Sequence, residues 1–346
     1  PRDSFGASAC GMENKMRKKW IRGGIFLCLV LLLLSNLNRI LCVKSPHGVD
    51  QTRYLYVQPK NKIDVLFLGS SHVHCNVNTQ LLWDEYGMAV YLMTGAEQPL
   101  WNSYYNLKEA LKTQKPKLVV LDMFCPSRFY DDFQPGWADE NLDGMRISLN
   151  KLEAVYTSVQ EEQSHFFLGF TEYHSRYDQL TAEDFQNFVW NRKTQERWKG
   201  YTPLNRRAEL TEPDMSHVTT SQEMTEKSKE YFEKIVELTK KEGIALALIS
   251  GPYLLEERDQ EVYNSIGQLA EKDGLLFWNT NTPAHYREMG LDFSTDFADH
   301  AHLNEAGGAK YTAYLGKWLS QNYSFPDRRG QKGYESWENQ LMKSGE

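Results

Sequence analysis

Two short segments hold the residue types needed for nucleophilic acyl chemistry. The first, Ile63-Asp64-Val65-Leu66-Phe67-Leu68-Gly69-Ser70-Ser71-His72, is an apolar run ending in a glycine and two serines. The second, Asp299-His300-Ala301-His302-Leu303-Asn304, places a histidine three residues after an aspartate. A serine nucleophile needs a base within hydrogen-bond reach and a carboxylate to orient that base. Ser71 is the candidate nucleophile, His302 the base and Asp299 the orienting acid. A serine just past a strand can expose its hydroxyl among backbone N–H groups, and Gly69 permits the tight turn. Alone, Ser70-Ser71 reads more simply as a polar strand-to-loop turn, and His302 as a solvated loop residue. Asp299, His300 and His302 together also admit a metal, with His72 and His74 as the remaining ligands. The five cysteines (Cys10, Cys28, Cys42, Cys75 and Cys125) show no paired metal spacing, which disfavours a zinc site; metal is the minor alternative, and no cofactor is expected. Cys75 and Cys125 either pair in an oxidising compartment or stay as free buried thiols.

The elements around these segments decide whether they can meet. Apolar runs predict strands at 63–68, 88–93, 117–121, 244–249 and 275–278. Helical spacing predicts helices at 78–86, 100–111, 223–241, 257–272 and 305–321. Asn78 and Asn304 serve as caps, and Gly87 and Gly243 as stops. Short apolar strands alternating with helices imply an α/β fold with a parallel five-stranded sheet flanked by helices. Ligands in such sheets bind beyond the C-terminal strand edges. Gly69-Ser70-Ser71-His72, Thr94-Gly95 and Asp122 all fall there, and the 299–302 loop can reach the same edge. Gly95 is the candidate backbone donor to an oxyanion, or a plain turn residue. Gln98 with Asn102 or Asn106 could add side-chain donors, though roles on a helix surface are the simpler reading. Between about 126 and 222 the alternation stops in a helical, aromatic insertion. There Tyr173-His174-Ser175-Arg176-Tyr177 and Trp137, Trp190 and Trp198 read as a small aromatic core, or as a sugar groove.

Bulk composition narrows the function classes. The chain has 346 residues, 41% hydrophobic and 25% charged, with a net charge of −7, so a globular domain is expected. No basic stripe follows residue 50, which disfavours a nucleic-acid partner. At the N-terminus, Lys15, Arg17, Lys18, Lys19 and Arg22 precede a leucine-rich run. Residues 20–43 are long enough to span a bilayer, and no small-residue cleavage site follows. The expectation is an uncleaved signal anchor with a basic cytoplasmic segment at 1–19 and the remainder outside. A polar stem at 44–60, a domain at 61–323 and a flexible tail at 324–346 complete the plan.

The Gly69-Ser70-Ser71 and Asp299-His300-Ala301-His302 blocks resemble those of the SGNH/GDSL hydrolase superfamily. Ser70 stands where that family carries the middle aspartate of Gly-Asp-Ser. The Gly95 position resembles the family's second oxyanion donor. Its Gly-x-Asn-Asp block is not recognisable, since Leu121-Asp122-Met123-Phe124 follows the third strand. The resemblance covers roughly residues 60–125 and 225–322 and implies a flavodoxin-like sheet and serine esterase or O-acyltransferase chemistry. The single anchor is similar to membrane-anchored branches that act in alginate acetylation and teichoic-acid D-alanylation. Those branches imply an acylated glycan or polymer substrate, a multispanning O-acyltransferase as partner, and the outer face of a bacterial cell membrane. They equally admit a non-catalytic assembly partner, or a sugar-binding module.

Overall fold

A computed structural model describes residues 4–41, 47–128, 133, 136–161, 163–167, 174–186 and 198–338. These fall into two compact units, one drawn from 1–43 and 167–189, the other from 44–166 and 190–346. The first is built on a long helix, Ser4–Leu41. Its Lys15–Asn38 stretch is long and apolar enough to cross a membrane, and Trp20, Phe26 and Leu31 to Leu33 are exposed along it.

The second unit is an α/β domain. Strands β1 (Val65–Gly69), β2 (Val90–Thr94), β3 (Leu118–Asp122), β4 (Ala245–Ser250) and β5 (Leu276–Asn279) form one sheet. Their order is β2-β1-β3-β4-β5, and every pairing is parallel. Helices cover both faces of such a sheet, so its central strands are apolar without alternation. Every residue of β1, β2 and β3 is buried accordingly. Asn78 caps the Thr79–Tyr86 helix, accepting from the Leu81 N–H, and Gly87 closes it in the left-handed conformation. Glu226–Glu242 and Glu257–Asp273 likewise end on Gly243 and Gly274. Strand order reverses between β1 and β3, which is where ligands bind in doubly wound sheets. The residues after β1 therefore stand at the switch point of this fold.

Two expected boundaries differ. Residues 44–60 are not all stem, because the helix Val49–Leu55 is packed with four polar or aromatic side chains buried, Asp50, Gln51, Thr52 and Tyr54. Gln51 accepts from the Thr94 N–H at 2.7 Å and donates to the Gly200 carbonyl at 2.8 Å. Its polarity serves the interior, so composition did not mark it as part of the domain. The stretch after residue 324 is no frayed tail up to residue 338. Trp337 is fully buried, and its indole N–H donates to the Val90 carbonyl at 3.0 Å. The Leu92 N–H of the same strand donates to the Lys199 carbonyl at 2.9 Å. Both bonds occupy the open side of edge strand β2, which would otherwise offer unpaired backbone groups. Arg328 adds a two-pronged ion pair to Asp64 at 2.7 and 2.8 Å.

In the 126–222 region, Trp198 packs against the main core rather than a separate one. Trp137 is exposed. Tyr173 and Trp190 lie outside the described residues. Cys75 and Cys125 are free and buried. Burial pushes the Cys75 thiol up to about 12 and the Cys125 thiol well above its ordinary value, so neither is a thiolate nucleophile.

Candidate active site

The turn after β1 is shaped by its neighbour β3. Gly69 has φ 147°, and a Cβ there would lie 2.3 Å from the Asp122 Cβ. Only glycine lets the two strand ends approach so closely. Ser70 caps the Ser71–Asn76 helix, accepting from the His72 N–H at 3.2 Å. It donates its own hydroxyl to Asp122 Oδ2 at 2.7 Å, and its N–H reaches the same oxygen at 3.2 Å. Asp122 Oδ1 accepts from the Phe124 N–H at 3.2 Å. Burial raises the Asp122 carboxyl to about 6, against the Ser70 and Phe124 donors that favour its charge. Ser70 thus ties the turn to β3, and Ser71 becomes the first helical residue, whose N–H has no acceptor within the helix.

The base arrives on a loop held to the same helix. The Leu303 N–H donates to Asn76 Oδ1 at 3.0 Å, and Thr312 donates to the Asn76 carbonyl at 3.1 Å. Asn304 caps the Glu305–Asn322 helix and donates to the Thr295 carbonyl at 2.7 Å. Phe297 bridges both Leu303 and Ala208 in antiparallel fashion, which lays the 204–210 segment beside the loop.

These elements bring Ser71, His302 and Asp299 together. Ser71 Oγ lies 2.8 Å from His302 Nε2. His302 Nδ1 lies 2.9 Å from Asp299 Oδ1, an oxygen that also accepts from the Ala301 and His302 N–H groups at 2.9 and 3.0 Å. Partial burial works to raise the Asp299 carboxyl, but the His302 ring and those N–H donors outweigh it and hold it below its ordinary value. A carboxylate on Nδ1 leaves Nε2 as the acceptor facing the serine hydroxyl. Asp299 Oδ2 takes one more bond, from Arg206 at 3.1 Å. Arg206 gave no sequence signal: it sits in a stretch without period, far from Asp299 in the chain.

His72 and His74 stand close by but do different things. His72 is buried, stacked on Phe124 at 3.6 Å and edge-on to Tyr253 at 4.9 Å, with the His302 ring at 5.5 Å. Its ring nitrogens have no hydrogen-bond partner among the described residues. Burial, then the neighbouring His302 and Arg128, push it well below its ordinary value, so it stays neutral. His74 approaches Thr94 Oγ1 at 3.2 Å and stacks on His47 at 4.5 Å and 7°. Rings stacked this flat point their lone pairs in parallel rather than at one centre. No group of three metal-type side chains converges among the described residues.

The expected oxyanion donors are placed less favourably. The Gly95 N–H donates to the Gly69 carbonyl at 3.2 Å, extending the sheet ladder. A Cβ on Gly95 would meet Asn141 Oδ1 at 2.3 Å, so glycine is needed there for close packing. Gln98 is buried; it donates to Ser103 Oγ at 3.0 Å and accepts from Asn106 at 2.8 Å. Ser158 donates to Asn102 at 2.5 Å. Gln98, Asn102 and Asn106 therefore bond to one another's surroundings and not to Ser71.

No model of a known protein family matches the chain, and no curated protein matches it. A solved structure from Bacteroides fragilis, provisionally assigned as an acylhydrolase, is similar at 12% identity with a TM-score of 0.39. That match covers 77% of this chain and 92% of the other.

Proposed function

We propose that this protein is a serine acyl-ester hydrolase or O-acyltransferase. The observation that carries the reading is the unbroken line of short contacts from Ser71 Oγ through His302 to Asp299. His302 Nε2 takes the Ser71 proton as Oγ forms a bond to the ester carbonyl carbon. The carbonyl electrons move onto its oxygen, where the Ser71 N–H stands as donor. Collapse breaks the bond to the leaving oxygen, which takes the proton from His302, and leaves the acyl group on Ser71. Water or a sugar hydroxyl then attacks that ester, giving its proton to His302, and Ser71 is restored.

The finer reading is a domain anchored by Lys15–Asn38 at a bacterial cell membrane and facing outward, acting on an acylated glycan or exported polymer beside a multispanning acyltransferase. The apolar helix and the basic residues at its N-terminal end support this. Ester turnover and labelling by a fluorophosphonate probe are expected in the wild type and absent in Ser71→Ala and His302→Ala. Turnover that survives in either folded variant would sink the mechanism. A second reading, a non-catalytic partner of a membrane acyltransferase, is favoured by the Gly95 N–H being spent in the sheet. Acyl transfer in cells that needs this chain but tolerates Ser71→Ala would select it.

A further inference from the structure

We infer that the triad is coupled to a subsite for an anionic group of the substrate, built from Arg206 and Arg207. This deepens the acyl-transfer reading and rests on it. A shallow groove of about 560 Å³ is lined by Leu204, Asn205, Arg206, Arg207, Glu305 and Ala309, among others. It joins the triad through Arg206, which donates one Nη2 bond to Asp299 Oδ2 at 3.1 Å. Arg206 is 70% exposed at its side chain while Asp299 is 27% exposed. One guanidinium thus stands half on the triad and half on the groove. Arg207 donates Nε to the Ser294 carbonyl at 3.2 Å, which aims its terminal nitrogens elsewhere. Neither arginine makes a further hydrogen bond or ion pair among the described residues, with Glu305 or otherwise.

An isolated exposed ion pair contributes little to stability, about 0 to 1 kcal/mol, so Arg206 is poorly explained as a brace alone. Asp299 Oδ1 is already fixed by three donors. A planar fork with several unused N–H groups, next to a second such fork, matches a carboxylate or a phosphate. In a chain of net charge −7 such a pair also provides local attraction for an anion. The path from Ser71 through His302 and Asp299 to Arg206 runs over contacts of 2.8, 2.9 and 3.1 Å; with the ring and the carboxylate between them it keeps the anion within roughly 15 Å of the nucleophile, given ordinary hydrogen-bond lengths. The subsite therefore reads a charge within a few sugar units of the scissile ester. Binding there orders the Arg206 fork, and with it Asp299 Oδ2.

Two measurements test this. In a Ser71→Ala background, inorganic phosphate is titrated while the arginine Nε–H resonances are followed by NMR. Saturable shifts at Arg206 and Arg207, lost in Arg206→Gln, are expected; no shift, or shifts unchanged in Arg206→Gln, overturns the subsite. In the active protein, 4-nitrophenyl monosuberate and 4-nitrophenyl octanoate present the same chain with and without a distant carboxylate. A preference for the monosuberate in kcat/KM of roughly two- to five-fold, the size of an exposed charge pair, is expected. Arg206→Gln removes the preference, and Arg206→Lys keeps part of it. A variant that lowers both rates equally, with the ratio intact, reduces Arg206 to a structural brace and overturns the inference. If neither ester is turned over by the wild type, the hydrolase reading fails, and the phosphate titration still decides the subsite.

Discussion

Asp299→Asn isolates the charge on the triad from its geometry. Asp299 Oδ1 accepts from His302 Nδ1 and from two backbone N–H groups. In the asparagine variant those two N–H donors hold the amide oxygen in the Oδ1 place, so His302 keeps its tautomer. The amide nitrogen then faces Arg206, whose bond at 3.1 Å is lost. What disappears is the negative charge beside the imidazolium that forms during acylation. Two unit charges 4 Å apart near a protein surface interact by about 4 kcal/mol. The His302 and Asp299 side chains are 21% and 27% exposed, which screens the pair to about 2–4 kcal/mol. Turnover should therefore fall by about 30- to 1,000-fold. A loss of about 10⁴ is the expectation where the substitution imposes the wrong tautomer. The assay is kcat/KM on a neutral aryl ester, with the rate of fluorophosphonate labelling as a second readout of Ser71 nucleophilicity. Activity within threefold of wild type would refute the assignment of Asp299. A loss of 10⁴ or more would refute the argument that the two N–H groups hold the amide.

Gly69→Ala must accommodate a Cβ 2.3 Å from the Asp122 Cβ in a left-handed conformation; a loss of about 2 kcal/mol or more in urea unfolding is expected, with Ser71 chemistry falling in parallel. Asp122 carries a raised carboxyl, from 3.8 to about 6, so its protonated form stabilises the fold below pH 4, and that contribution is lost as pH rises through 6. The wild type should lose about 3 kcal/mol over that window relative to Asp122→Asn, and parallel stability–pH curves would contradict it. Trp337→Ala removes a fully buried indole and its bond to the Val90 carbonyl; a cost of about 3–5 kcal/mol is expected in urea unfolding, whereas a flexible tail would give none.

The strands were legible because a buried parallel sheet demands uninterrupted apolar runs, and each predicted strand lies within two residues of the observed one at either end. Caps and stops such as Asn78, Asn304, Gly87 and Gly243 were legible because their side-chain or backbone chemistry is local. Ser71 and His302 followed from those elements and a fold rule about strand ends. What escaped was every feature set by long-range packing. Trp337 on the edge of β2, Gln51 under Thr94 and Arg206 on Asp299 sit in segments without period, where composition suggests solvent.

Gly95 shows the same limit at the scale of one residue. Its position after β2 was read correctly, yet its N–H serves the sheet because the β1–β2 ladder runs past the Gly69–Thr94 pair. Where a parallel ladder stops depends on the turn that follows each strand, and here Ser70, held by Asp122, sets that turn. Asn141 Oδ1, lying where a Gly95 Cβ would stand, fixes the other side. For the Gly95 N–H to face an oxyanion, the peptide between Thr94 and Gly95 would have to leave the Gly69 carbonyl and rotate. One oxyanion donor typically changes kcat by 10²–10³, so under the proposed mechanism that single peptide would separate a slow esterase from an efficient one. A transition-state mimic such as a boronate bound to Ser71 should therefore shift the Gly95 amide resonance as well as that of Ser71. A shift confined to Ser71 would mean that the ladder bond persists during catalysis.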